Sequence, residues 1–171
     1  MKSILVDYST ARGIKDGKVT QLRKPYGCGN SWKAGETYYV KESTAIIQDI
    51  TGRDKLIYRT DVNYSMVSWT PANQMRESDA RIFVKINKVW VSKVQFATLE
   101  EIKAMGLFDM LNSMYKVVQN KAQTVEEVQL ISGLIYKEFR KYWNRKYRYW
   151  RHPDPWGENG LVRCCEIELI S

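Results

Sequence analysis

The stretch Asp16-Gly-Lys-Val-Thr-Gln-Leu-Arg-Lys-Pro25, with its continuation Lys33-Ala-Gly-Glu-Thr-Tyr-Tyr-Val-Lys-Glu42, decides how this chain is read. It reads as a helix end, a strand over 19–23, a glycine-rich turn and a second strand over 37–41. Polar and basic residues crowd the first strand: Lys18, Thr20, Gln21, Arg23 and Lys24. A buried strand needs apolar side chains on at least one face. Val19 and Leu22 supply little of that, so the pattern predicts a strand facing water or a ligand. The plainer alternative is an edge strand whose charges block aggregation. The turn Tyr26-Gly-Cys-Gly-Asn30 is no phosphate-binding P-loop, because no Gly-Lys-Ser/Thr follows it.

Toward the N-terminus, 3–6 is a short apolar strand. Ser9-Thr10 can cap a helix over 11–15 that Gly17 ends. Toward the C-terminus, 45–47 and 55–59 flank a Gly52-Arg-Asp54 turn and suggest a hairpin. Residues 61–72 read as irregular, with Trp69 and Pro71. The run from Arg81 to Val94 is the strongest β signal, one long strand or two broken at Asn87-Lys88. Thr98-Leu-Glu-Glu and Thr124-Val-Glu-Glu are capping boxes. The first opens a helix of about two turns that Gly106 ends. The second opens a long helix to about Asn144, with Val128, Ile131, Ile135, Phe139 and Tyr142 as an apolar stripe. Between them, 107–120 is a further helical candidate whose methionines read as core filler. Gly160 leads into a last strand, 161–170. Strands with helices inserted, without βαβ alternation, predict an α+β class. The whole chain, 1–171, is expected to be a single domain with a helical insertion at about 107–150.

Composition narrows the function classes. At 44% hydrophobic and 27% charged, 171 residues suffice for a real core without disulfides or metals. No apolar run is long enough to span a membrane and no signal peptide is visible, so a cytoplasmic protein is expected. Three cysteines, Cys28, Cys164 and Cys165, suggest reduced thiols. Cys164 and Cys165 are adjacent in a strand and point to opposite faces, which disfavours a shared zinc. His152 is the one histidine, and nothing marks a nucleophile near it. Neither a metal nor a cofactor is expected. The formal charge of +8 and pI of about 9.3 favour a polyanionic partner.

The segment Lys137–His152 holds seven Lys or Arg interleaved with Phe139, Tyr142, Trp143, Tyr147, Tyr149 and Trp150. Cations hold phosphates and aromatic faces stack on bases, so the mixture suits single-stranded or looped nucleic acid. An amphipathic helix with aromatic residues inward and solvated cations is the alternative. Phe139, Tyr142 and Trp143 fit it; Tyr147, Tyr149 and Trp150, beyond the expected helix end, fit it less well.

Several segments together resemble the ASCH domains (PUA-like barrels), most closely the ASCH-like proteins of bacteriophage and prophage genomes. The similar segments are Ile4-Leu5, then Asp16-Gly-Lys-Val-Thr-Gln-Leu-Arg-Lys-Pro25, Gly35-Glu-Thr-Tyr-Tyr-Val-Lys-Glu42 and Tyr58-Arg-Thr-Asp61. They continue with Trp69-Thr-Pro-Ala-Asn-Gln-Met75, Ala80-Arg-Ile-Phe-Val-Lys-Ile86, Thr98-Leu-Glu-Glu101, Asp154-Pro-Trp156 and Cys165-Glu-Ile-Glu168. The resemblance implies a small β-barrel with helices packed on it, a cleft between barrel and helices, and RNA or a modified nucleoside as ligand. It also implies, for some members, deacylation of an N4-acylated cytidine by a Lys, a Thr and a Glu. Carried over residue by residue, that set fails. The Lys position is Val19, the second Thr position is Leu22, and the Glu position is Met105. Lys18 is one step away, but a one-residue shift along a strand turns a side chain to the opposite face.

The expectation is therefore a non-catalytic protein that binds nucleic acid, RNA or single strands rather than duplex. The residues expected to do so are Lys18, Thr20, Gln21, Arg23, Lys24, Lys41, Trp69, Arg145, Lys146, Tyr147, Arg148 and Trp150. The alternatives are a hydrolase of a modified cytidine, or a nuclease, with a rearranged site around Lys18, Thr20, Glu42 and Tyr38, and a phage accessory protein that binds a host protein.

Overall fold

The computed structural model describes residues 1–29, 31–62, 64–107, 124–148, 156–157 and 160–170. Those residues form seven strands and three α-helices in the order β1 (Lys2–Leu5), α1 (Tyr8–Lys15), β2 (Gln21–Pro25), β3 (Thr37–Lys41), β4 (Thr44–Gln48), β5 (Asp54–Tyr58), β6 (Phe83–Lys93), α2 (Leu99–Ala104), α3 (Val125–Tyr147) and β7 (Leu161–Ile170). The class is α+β, as the strand and helix patterns predict. The strands make a five-stranded mixed sheet of order β1-β3-β6-β7-β2 and a separate β4-β5 hairpin. The expected helix within 107–120 lies outside the described residues beyond Leu107. The chain divides into two compact units: unit one is Met1–Thr20, Trp32–Lys88 and Glu166–Ser171, and unit two is Gln21–Ser31 and Val89–Cys165.

In unit one, β1 runs parallel to β3 with Ile4 opposite Val40, and β3 runs antiparallel to β6 with Tyr38 opposite Val84. These four side chains are buried, so the register is set by apolar faces meeting. Asp7, not Ser9 or Thr10, caps α1: its carboxylate accepts from the Thr10 N–H at 2.8 Å. Gly17 leaves the helix at φ 68°, and the N–H groups of Lys18 and Val19 both donate to the Gly13 carbonyl. That tight exit holds Val19 against α1, and it is why β2 begins at Gln21 rather than Val19. The hairpin turn is stapled by Asp49, whose carboxylate accepts from the Thr51 N–H at 2.7 Å and the Arg53 N–H at 3.1 Å.

In unit two, the capping boxes at Thr98 and Thr124 both form as the sequence predicts. Helix α3 runs to Tyr147, one turn beyond the expected end. Its stripe of Ile135, Phe139 and Trp143, spaced four apart, is buried against Val94, Ile102, Val162 and Cys164. Phe139 and Trp143 meet edge to face with ring centroids 6.1 Å apart.

One expectation is overturned here. Strand β2 does not turn its polar face to water: Gln21, Leu22, Arg23 and Pro25 are all buried. The physical reason is that the Glu101 carboxylate lies against the buried Arg23 guanidinium and offsets its charge, although it does not satisfy all of its N–H groups.

Candidate nucleic-acid interface

Unit two collects the chain's positive charge. It holds 14 of the 27 Lys and Arg and 8 of the 19 Asp and Glu, a net +6 where unit one carries +2. The structure brings together two basic stretches that are far apart in sequence. The Tyr147 hydroxyl, at the end of α3, donates to the Arg23 carbonyl on β2 at 3.1 Å. The Tyr147 ring lies on Trp143 with centroids 4.5 Å apart. Tyr147 is thus half-buried and anchors the helix end, which corrects its expected place beyond the helix. Beside it, Lys146 donates to the Tyr142 hydroxyl at 2.8 Å and sits 5.3 Å and 5.8 Å from the Tyr142 and Tyr147 ring centroids. Arg145, Lys146 and Arg148 are exposed.

On β2, Arg23 and Lys24 play different parts. The Arg23 side chain is fully buried; its Nη2 lies 2.7 Å from a Glu101 carboxylate oxygen, and its Nε donates to the Gln21 side-chain oxygen at 3.3 Å. Nη1 and Nη2 are both buried without a hydrogen bond among the described residues, so the Glu101 contact is an ion pair by proximity rather than an aligned bond, and the Trp143 indole N–H is likewise unbonded. Gln21 and Arg23 therefore belong to an internal polar cluster and do not offer themselves to a phosphate at the surface, a second correction. Lys24 is half-buried, and its amine is held below the ordinary lysine value by burial and by the Arg163 charge, against the opposing pull of the Cys28 and Cys165 thiols. Burial pushes the Cys164 thiol up to about 11 and the Cys165 thiol up to about 12, so both are neutral thiols.

The remaining candidates lie in unit one, apart from Trp150, which lies outside the described residues. Lys18 and Thr20 are exposed. Lys41 donates to the Asn73 carbonyl at 2.9 Å, and the half-buried Trp69 donates to the Tyr64 carbonyl at 3.2 Å. Tyr38 is buried, with its hydroxyl on Glu36 at 2.8 Å. Glu42 is also buried, and both its oxygens are engaged: Arg81 donates to each at 3.1 Å and Thr60 donates to one. Arg81 also pairs with Asp61, which pairs with Lys15, and the guanidinium lies 3.7 Å from the Tyr58 ring centroid. Burial works against the Arg81 charge, yet bonds to Glu42 and Asp61 hold its pKa above the ordinary value. Glu42 thus serves as an anchor of unit one.

Sequence reading misses Arg81, Thr60 and Glu101 as partners, because charge pairing across a fold leaves no local pattern. It also misses Arg163 and Tyr26. Arg163 does lie in a strand otherwise rich in apolar residues, the one signal that could have marked it.

No family model matches the chain, and no curated protein matches it. A solved structure matches 99% of this chain and 77% of its own length at 12% identity and a TM-score of 0.48: the crystal structure of the Enterococcus faecalis V583 protein EF3133, family-model DUF984.

Proposed function

We propose that this chain is an ASCH-type, PUA-like protein of phage or prophage kind that binds RNA or single-stranded nucleic acid and does not carry the family's amidohydrolase set. The small barrel and the cytoplasmic location belong to the same proposal. The carrying observation is the concentration of charge in unit two, where the exposed Arg145, Lys146 and Arg148 share a unit with Lys24 and Arg163 and the helix bearing them is pinned to β2 by Tyr147. A strand laid there meets cations for its phosphates and tyrosines beside them.

The test is fluorescence anisotropy with labelled single-stranded RNA, single-stranded DNA and duplex DNA at about 50 and about 200 mM salt. With roughly six phosphate contacts, affinity falls on the order of a thousandfold across that range. Changing Arg145, Lys146 and Arg148 together to Ala lowers the affinity and flattens the salt dependence. Unchanged affinity in that variant removes the role given to α3, and no binding at low salt removes the reading.

A further inference from the structure

We propose that Lys24, Arg163 and the Tyr26–Gly29 turn form a one-nucleotide subsite in unit two, with a backbone phosphate held between the amine and the guanidinium and a base laid on the Tyr26 ring. This deepens the proposed function and rests on it.

The turn is a built structure. The Tyr26 N–H donates to the Leu161 carbonyl at 3.0 Å, which fixes the turn to β7, and the Cys28 N–H donates to the Pro25 carbonyl at 3.0 Å. Gly27 and Gly29 sit at φ 83° and φ 61°, which glycine adopts without strain. The Lys24 amine lies under the turn, 3.7 Å from where a side chain at Gly29 would begin. The Arg163 guanidinium sits 5.2 Å from the Tyr26 ring centroid, while Tyr26 itself remains 52% exposed. A ring backed by a cation and open to solvent is a stacking platform for a base.

The electrostatics point the same way. Among the described residues no carboxylate pairs with the Arg163 guanidinium. Burial, and after it the Arg163 charge, disfavour the charged form of Lys24, against a smaller opposing pull from Cys28 and Cys165. A phosphate between the two cations reverses that repulsion and returns the amine toward its ordinary value. Binding therefore takes up protons at alkaline pH, and affinity falls as pH rises through the lowered Lys24 value.

The experiment titrates the full chain with a short single-stranded RNA and with a 5′-phosphorylated dinucleotide. Calorimetry at a series of alkaline pH values, in two buffers of different ionisation enthalpy, reads the protons taken up. Wild type takes up a fraction of a proton and Lys24→Gln takes up none. Lys24→Gln and Arg163→Gln each reduce the salt slope by about one. Tyr26→Ala weakens strand binding by about tenfold and Tyr26→Phe restores it; position 26 is an exposed turn, so this variant keeps the fold. If these variants bind like wild type while the Arg145, Lys146 and Arg148 triple variant is weakened, the subsite is wrong and the parent reading stands. If wild type binds neither probe, both fall.

Discussion

At the scale of single residues, each of the two internal charge clusters sets a buried charge against an opposite one. Glu42 is enclosed by Arg81 and Thr60, and Arg23 by Glu101 and Gln21. Removing one partner strands the other. Arg81→Ala leaves the Glu42 carboxylate buried without its guanidinium and should cost roughly 3–5 kcal/mol of stability. Replacing both, Arg81→Met with Glu42→Leu, should cost less than the single change, because no charge is left unpaired. Urea unfolding of the two variants decides it, and a double variant less stable than the single one overturns the argument.

At the scale of elements, the exit from α1 is set by one close approach. A Cβ at Gly13 would come within 2.5 Å of the Val19 Cγ2. In an exposed helix, Gly→Ala normally adds about 1 kcal/mol of stability. Here Val19 must shift, and it is held by its N–H bond to the Gly13 carbonyl. Overpacking of this kind typically costs about 1–3 kcal/mol, so Gly13→Ala should destabilise. A raised thermal midpoint in Gly13→Ala contradicts this packing. The same exit explains why the strand predicted over 19–23 forms two residues later: Val19 belongs to the helix packing, and the ladder starts once the chain has cleared α1. In α3 the capping box and the apolar spacing were legible because both are local patterns. Its extra turn was not, because Tyr147 is held by Trp143 and the Arg23 carbonyl, contacts that no helical periodicity encodes.

For the whole molecule, the segregation of charge separates two kinds of pH and salt response. Unit two bears the net +6 and the proposed response to nucleic acid. Unit one bears carboxylates paired in its network. Hydrogen bonds from Arg81 and then Lys15 hold Asp61 below the ordinary aspartate value, and Lys2 and then Tyr38 do the same for Glu36. A carboxyl lowered in the folded state contributes stability that is fully present above its unfolded value, near pH 4, and is lost as pH falls through the lowered folded value. Denaturant midpoints should therefore fall between pH ~6 and pH ~3, and Asp61→Asn should show a smaller fall than wild type. Equal falls in the two proteins would show that Asp61 takes no part.

By itself the sequence determined the class, most element positions and the caps of α2 and α3, because strand alternation, helical spacing and Thr-x-x-Glu boxes are written within a few neighbouring residues. The strand at 37–41, the hairpin and the closing strand 161–170 stand where those patterns put them, and β6 forms as one strand where the pattern left a break at Asn87-Lys88 open. Tertiary structure alone decided the use of the polar residues. It drew Gln21, Arg23 and Glu42 inward against Glu101, Thr60 and Arg81, and it gathered Lys24, Arg163 and the end of α3 into one unit. A charged side chain reads the same in sequence whether it meets water or a buried partner, and only the fold supplies the partner.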